Sequence, residues 1–489
     1  MNKNSFLVWN NYSKVTFLSG IIAALPLIVI PFYPKDIIYV KDFLISSGSC
    51  FLVSLGFLLF GKPYIPSKFY TVTQRRSTMF VLYAWVFNFF IGALPFVTGK
   101  QLPFLRALFE AVSGFTTCGL STIQVDATPM IFLFHRSLMQ FVGGFGFIVL
   151  FLSIVNDKQS MELFSAEGHP DKLRPNLQIT ARTILYIYMI LLVLGTLGFV
   201  VMGMPLFDAL NHTMCALSTG GFSTRMSSFT DYSSAIDLWL VLLMLLGTTN
   251  TVVLLMLSQK KFKQVYRNTE LRFLFVTVLV CVPIIMVTMA SFTKMTLWQN
   301  FVYSLFNIFS SLSTAGFAIG GYENLPHLVI LILIVLMIFG GGMGSTAGGL
   351  KLTRVYIYLR SQFNAVFRNL YPPRKLSTMK IYRPTGEDII SESEQRDAIN
   401  YVSLYIIIYV IGVGLTIAFS GCQLHEAMFE FASSLSTVGL SIGVTNPDAS
   451  AGVLIVEIIG MLMGRLEILP VLYVLKYWKD DLRRLFKIS

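Results

Sequence analysis

Long apolar runs, separated by short breaks rich in Gly, Ser and Thr, dominate the chain. Runs near the roughly 20 residues needed to cross a bilayer recur at about 15–33, 43–60, 77–98, 129–155, 183–204, 235–258, 272–292, 325–350, 399–420 and 451–475. The pattern predicts an all-α integral membrane protein of about ten spans. Lys14 precedes the first run and Tyr33-Pro34-Lys35 follows it, with no small-residue cleavage site, so a retained helix is expected rather than a removed signal peptide. Shorter apolar segments at 104–115, 205–217, 299–312 and 424–435 are too short to span, and each ends in a small polar patch.

These patches are four versions of one unit: Thr116-Thr117-Cys118-Gly119, Ser218-Thr219-Gly220-Gly221, Ser313-Thr314-Ala315-Gly316 and Ser436-Thr437-Val438-Gly439. Their last glycines are 102, 95 and 123 residues apart, and each interval holds two long apolar runs. A Phe stands eight residues before the Thr in three copies, in Phe109-Glu110, Phe306-Asn307 and Phe429-Glu430; the second copy departs, with Phe207-Asp208 one turn further back. Each following run also carries a glycine 25 to 28 residues after the patch glycine, at Gly146, Gly247, Gly344 and Gly464. Fourfold internal duplication follows, with the unit helix, re-entrant half-helix, patch, helix.

Irregular backbone at membrane depth is tolerated only when buried in protein or lining a water-filled cavity. A half-helix ending at the patch presents the negative end of its dipole, and glycine lets carbonyls turn toward a common axis. Four such segments around an axis make rings of neutral oxygens able to replace the hydration shell of a monovalent cation. A divalent ion favours carboxylates and an anion favours Lys, Arg or helix N-termini; no patch contains either kind of side chain.

Composition agrees with the span count: 55% of residues are hydrophobic and 13% charged. The net charge of +12 follows topology rather than nucleic acid. An even number of spans puts both termini on one side, and that side collects Lys62, Lys68, Arg75 and Arg76, the basic cluster Lys260 to Arg272, Lys351 to Arg396, and Lys476 to Lys487. That side is read as the cytoplasm of a multi-pass cytoplasmic (inner) membrane protein. The five cysteines are odd in number and scattered, offering neither a disulfide framework nor a metal site. No Ser/His/Asp set, HExxH motif or paired intramembrane carboxylates point to an enzyme.

Over residues 70–480 the chain resembles the superfamily of potassium transporters that includes the bacterial TrkH, TrkG and KtrB proteins. The resemblance rests on Phe109-Glu-Ala-Val-Ser-Gly-Phe-Thr-Thr, on Asn211-His212 with Ser218-Thr-Gly-Gly-Phe-Ser-Thr, on Gly344-Ser-Thr-Ala-Gly-Gly-Leu-Lys, and on Gly464-Arg-Leu-Glu-Ile. Two extra N-terminal spans are similar to the TrkH and TrkG branch. The resemblance implies four helix, pore-loop, helix repeats around a central pore, divided as an N-terminal two-helix domain 1–70, repeats at 71–157, 158–262, 263–362 and 398–489, and a cytoplasmic connector 363–397. It implies potassium as the transported ion, with no covalent cofactor, held by the backbone carbonyls of Thr117, Cys118, Thr219, Gly220, Thr314, Ala315, Thr437 and Val438. Gly119, Gly221, Gly316 and Gly439 become the filter glycines; since family branches with serine at the first position are associated with sodium permeation, Gly119 favours potassium. One filter position per repeat implies that rubidium also passes.

In the third repeat, Gly340-Gly341-Gly342-Met-Gly344-Ser345-Thr346-Ala-Gly348-Gly349 interrupts an apolar run with six glycines, and each interior glycine costs a helix roughly 1 kcal/mol relative to alanine. The stretch superficially matches a dinucleotide fingerprint, but it lies inside a span and not in a βαβ unit. It resembles the family's intramembrane gating loop. Arg465, an ionised side chain in an apolar run, resembles the family's cavity arginine near that loop; its alternative role is structural, pairing with Glu467, Glu457 or loop carbonyls. Glu110 and Glu430 are expected to brace the half-helices or charge the vestibule, and Asn211 and His212 to cap or brace the second. The segment 352–397 reads as a polar connector without the apolar content for a core. The resemblance further implies a homodimer docked to a cytosolic ring of TrkA-type nucleotide-binding subunits. Two other functions keep the same pore architecture: a sodium- or proton-coupled symporter, and the potassium-binding subunit of an ATP-driven pump.

Overall fold

Prolines and capping boxes start the four short helices that organise the molecule. The computed structural model describes residues 5–60, 74–146, 177–367, 379–384 and 386–485. The pore helices are Phe104–Phe115, Leu206–Leu217, Leu297–Leu312 and Leu424–Leu435. The first two begin after Pro103 and Pro205, whose carbonyls accept the first helical bonds from Ala107 and Ala209 at 2.9 and 2.8 Å. The other two open with reciprocal capping boxes, Thr296 with Gln299 and Gln423 with Glu426. Phe109, Phe306 and Phe429 are fully buried.

Among the described residues, six helices are long and apolar enough to cross a membrane: Asn11–Val29, Pro34–Leu59, Thr78–Thr98, Ile179–Val201, Thr269–Ala290 and Glu392–Ser420. Their outward faces are apolar, as at Leu194 and Leu197, Leu279 and Val280, and Val410 and Ile411, which suits lipid contact. The helices that follow the four patches break, in the third repeat at the glycine-rich stretch as expected and in the second and fourth at sharp bends. Ser234–Thr248 and Thr251–Ser258 meet at a bend of 110°, and Ala451–Arg465 and Ile468–Lys479 at 108°. His327–Phe339 stops at Gly340, and Met130–Phe145 stops at Gly146, both glycines having positive φ. Among the described residues, counting each bent pair as one span gives up to eight by length and composition; His327–Phe339 is a shorter apolar helix, and the expected run 129–155 is described only as far as Gly146.

Packing explains the breaks. A Cβ on Gly143, Gly247 or Gly464 would lie under 3.0 Å from the terminal carbonyls of the first, second and fourth pore helices, at Phe115, Ala216 and Leu217, and Leu435. The helix backbone therefore sits directly on the pore-helix ends, and the groups freed at each break face protein rather than lipid. Asn250 caps one restart by accepting from Val252 N at 2.8 Å.

The N-terminal pair is fixed to the first repeat. Ser47 Oγ donates to the Gly20 carbonyl at 2.8 Å and Ser46 Oγ to that of Ile91 at 3.0 Å. Asp36 accepts from Ile131 N at 2.9 Å, supplying a negative charge to the start of Met130–Phe145.

The connector has more structure than its composition suggests. Lys380–Arg383 pairs antiparallel with Gly386–Ile389. Ile357, Met379, Ile381, Ile390 and Ala398 form a small apolar cluster of their own. This hairpin corrects the expectation of a segment without a core; its apolar partners come from the helices on either side, at Ile357 and Ala398. The remainder of the apolar run beyond Gly146, the repeat boundary at 157 and part of the connector, 368–378, lie outside the described residues.

Candidate functional site

All four pore helices end in the same way. The last helical turn is followed by a threonine in the left-handed region: Thr117 at φ 58°, Thr219 at 53°, Thr314 at 56° and Thr437 at 51°. Two bonds close each end. Thr117 N donates to Gly114 O at 3.0 Å and Cys118 N to Ser113 O at 2.9 Å, and the pairs Thr219/Gly220, Thr314/Ala315 and Thr437/Val438 repeat the pattern. This is the Schellman arrangement, in which the left-handed position is usually glycine. A β-branched residue there costs on the order of 1–3 kcal/mol, so four threonines at that position point to a use for their hydroxyls.

Two residues on, Gly119, Gly221, Gly316 and Gly439 also take positive φ, from 70° to 98°, and they close a ring. A Cβ on Gly119 would fall under 3.0 Å from the Gly220 carbonyl oxygen; on Gly221, from that of Ala315; on Gly316, from that of Val438; and on Gly439, from that of Cys118. Each repeat meets the next, and the fourth meets the first. The seam has no room for a side chain at any of the four positions, and the groups that meet there are backbone.

Buried side chains nine residues before each filter glycine hold the returning strands. Glu110 accepts from Ser121 Oγ at 2.8 Å and Thr122 N at 2.5 Å; Glu430 accepts from Ser441 Oγ at 2.7 Å and from Ile442 N and Thr445 N at 3.0 Å. His212 Nε2 lies 3.1 Å from Ser223 Oγ, and Asn307 Oδ1 accepts from Tyr322 OH at 2.6 Å. The second repeat's counterpart of Phe109-Glu110 is therefore Asn211-His212 and not Phe207-Asp208; Asp208 instead bonds Thr224 and Arg225. Glu110 also forms an ion pair of 3.1 Å with Arg136, both side chains almost wholly buried. The Arg136 guanidinium lies 3.9 Å from the centre of the Phe222 ring.

Where the pore helices stop, Gly340 to Gly349 lies against the threonines of the second, third and fourth repeats. Thr346 Oγ1 lies within 3.1 Å of the Leu217 and Gly247 carbonyls and 3.2 Å from Thr219 Oγ1. Gly348 N donates to Thr314 Oγ1 at 2.8 Å, and a Cβ on Gly348 would collide with Ser436 O and Thr437 Oγ1. The fourth contact runs through Arg465, whose Nη1 donates to Thr346 O at 2.6 Å and to Thr117 Oγ1 at 3.4 Å. Its Nη2 donates to Gly143 O and Gly144 O at 2.5 and 3.1 Å. Loop and helix-end carbonyls thus hold Arg465; Glu467 pairs with Arg354 at 2.9 Å, and Glu457 accepts from Thr445 Oγ1 at 2.7 Å. Gly342 N, Met343 N and Gly344 O anchor the loop to Thr248 O, Glu270 Oε1 and Thr251 Oγ1 at 3.1, 2.9 and 3.2 Å.

Residues 56–478 match the family model TrkH, described as a cation transport protein. The chain belongs to the TrkH family. The Trk system potassium uptake protein TrkG of Escherichia coli (strain K12) is 29% identical, the match covering 97% of each chain. TrkH of Salmonella typhimurium, a Trk system potassium uptake protein, is 28% identical over 83% of this chain and 86% of its own. The crystal structure of the potassium transporter TrkH from Vibrio parahaemolyticus superposes with a TM-score of 0.81 at 24% identity, over 95% of this chain and 98% of that one, and so shares its fold.

Within this TrkH-family frame, sequence reasoning missed four side chains around the site: Arg136, Gln140, Glu270 and Arg354, the partner of Glu467. Arg136 and Gln140 are polar residues inside the apolar run 129–155, the same signal that drew attention to Arg465. Glu270 opens Thr269–Ala290, where an acidic residue reads as an ordinary helix start, and only the folded chain brings Met343 to it.

Proposed function

We propose that this chain takes up potassium through a channel-like pore in the cytoplasmic membrane, selecting K⁺ and Rb⁺ over Na⁺ at the ring of Gly119, Gly221, Gly316 and Gly439. The supporting observation is the closed ring itself, in which each glycine abuts the carbonyl of the next repeat and no side chain fits between them. Neutral oxygens suit a weakly hydrated monovalent cation, and a backbone-lined opening holds its ligands in place. The names of the relatives, Trk system potassium uptake proteins, support the choice of ion.

The loop Gly340 to Gly349, with Arg465 beneath the filter, acts as the gate: it closes the deep end with backbone and places a positive charge in the ion's path. Both termini and the 380–389 hairpin are cytoplasmic, and a second copy of the chain and a cytosolic nucleotide-binding ring of the TrkA type complete the assembly. A route for their signal is available. Tyr382 N of the hairpin donates to Thr269 Oγ1 at 2.9 Å, and the neighbouring Glu270 holds the loop at Met343.

Ion flux from liposomes containing the purified protein tests this reading, with K⁺, Rb⁺, Na⁺ and Li⁺ compared in wild type and Gly119→Ser. K⁺ and Rb⁺ are expected to pass faster than Na⁺ and Li⁺, and the variant to lose that preference or to stop conducting. Equal wild-type flux for all four ions overturns the proposal.

A further inference from the structure

We infer that Gln140, a residue of the first repeat, positions the filter strand of the second and thereby tunes its ion selectivity. The inference rests on the filter reading above. In the first, third and fourth repeats a serine six residues before the filter glycine ties the strand to its own pore helix. Ser113 Oγ donates to Leu120 O at 2.6 Å and accepts from Gly119 N at 3.0 Å; Ser310 Oγ donates to Phe317 O at 2.6 Å; Ser433 Oγ accepts from Gly439 N at 2.9 Å. The second repeat has Cys215 at that position, and a thiol is a weak donor and a weak acceptor.

Gln140 supplies the strong hold on this strand, which the Cys215 thiol touches only weakly at Phe222. It is fully buried on Met130–Phe145. Its Nε2 donates to the Gly220 carbonyl at 2.5 Å and its Oε1 accepts from Phe222 N at 3.0 Å, so one amide clamps the strand on both sides of Gly221. The clamp also accounts for the doubled glycine of the second repeat. A Cβ on Gly220 would fall under 3.0 Å from the Gln140 amide, whereas Cys118, Ala315 and Val438 carry side chains at the matching places. Twenty-one residues after the other filter glycines stand Leu242, Met337 and Gly460, which have no hydrogen-bonding side chain.

The Gly220 oxygen is the one that abuts Gly119 across the first seam. One of its two lone pairs serves Gln140, which fixes the tilt of the carbonyl and lowers its field toward the pore relative to an unbonded one. Because discrimination between K⁺ and Na⁺ depends on the position and field strength of such carbonyls, Gln140 acts on selectivity through Gly220 without touching the ion.

The test measures the K⁺:Na⁺ flux ratio in liposomes for Gln140→Leu, Gln140→Met and the double variant Gln140→Leu/Cys215→Ser. Gln140→Leu is expected to lower the ratio on the order of tenfold, the equivalent of about 1.4 kcal/mol. Gln140→Met keeps the length of the side chain but has no donor for Gly220 O and no strong acceptor for Phe222 N, and is expected to lower the ratio as well. The double variant restores a serine brace and is expected to recover part of the loss, which a merely destabilised protein would not do. A selective wild type with an unchanged ratio in Gln140→Leu overturns the inference alone; if that variant does not fold, an unchanged ratio in Gln140→Met does the same. An unselective wild type overturns the filter reading instead.

Discussion

Arg465 Nη1 donates to the Thr346 carbonyl at 2.6 Å, tying the loop of the third repeat to the broken helix of the fourth. The same guanidinium reaches Gly143 O and Gly144 O at the end of the first repeat's helix. Arg465→Ala removes both the charge beside the loop and the clasp on it, so under the proposed gating role K⁺ flux from liposomes is expected to rise. The loss of charge-assisted bonds should also lower stability by on the order of 2–3 kcal/mol, read as a lower melting temperature in detergent. Arg465→Lys keeps the charge but not the planar fork that spans two sets of carbonyls, and is expected to fall between the two. Unchanged flux in well-folded Arg465→Ala counts against the barrier.

Thr346 separates the loop's hold on the filter from its charge. Its hydroxyl lies within 3.2 Å of Leu217 O, Gly247 O and Thr219 Oγ1. Thr346→Val keeps the shape and removes the donor, at a cost of about 1–3 kcal/mol for the carbonyls left unpaired. Single-channel or flux recordings should show a longer-open, more conductive pore; a flux equal to wild type would sink the role of this contact in closure.

The ring predicts a sharp contrast between glycines. Gly316→Ala places a methyl under 3.0 Å from the Val438 carbonyl at φ 70°; strain and overpacking together cost several kcal/mol, about 1–3 from each source. Transport should be lost. Gly48 and Gly414 lie inside long helices with open space at the Cβ position, so replacing either by alanine should leave flux intact and stabilise by roughly 0.5–1 kcal/mol. Equal effects at Gly316 and Gly48 in the same flux and melting assays would contradict the packing of the seam.

Arg136 and Glu110 form the buried ion pair behind the first filter strand. Arg136→Met strands a carboxylate that also receives Ser121 Oγ and Thr122 N, and breaking such a pair costs about 3–5 kcal/mol. The double variant Arg136→Met/Glu110→Gln removes both charges and should recover much of that loss. Melting temperatures of the two single variants and the double give the coupling directly; simple additivity would show that the pair does not act as a unit.

The extent of the pore helices was legible from residues close together in the chain. Segments expected at 104–115, 205–217, 299–312 and 424–435 form helices at Phe104–Phe115, Leu206–Leu217, Leu297–Leu312 and Leu424–Leu435. A proline or capping residue opens each one and a hydroxyl-rich patch closes it, and both signals act within a few residues. The fourfold repeat was legible for the same reason, because duplication leaves its mark at fixed spacings. Phe207-Asp208 misled, since a Phe beside an acid resembles Phe109-Glu110 locally, while the position eight residues before the Thr is that of Asn211-His212, whose contact with Ser223 the fold shows.

By itself the sequence determined the class of protein, the four half-helices, the patches that end them and the glycines within those patches. Local apolar length, caps and backbone freedom decide such features. The tertiary structure decided which helices break, where Arg465 and Glu270 find partners, that Gln140 of one repeat holds the strand of the next, and that Gly439 closes the ring on Cys118. Those outcomes depend on backbones from separate repeats coming too close to admit a side chain, and on buried polar groups needing partners far away in the chain; neither requirement is written in any short stretch of residues.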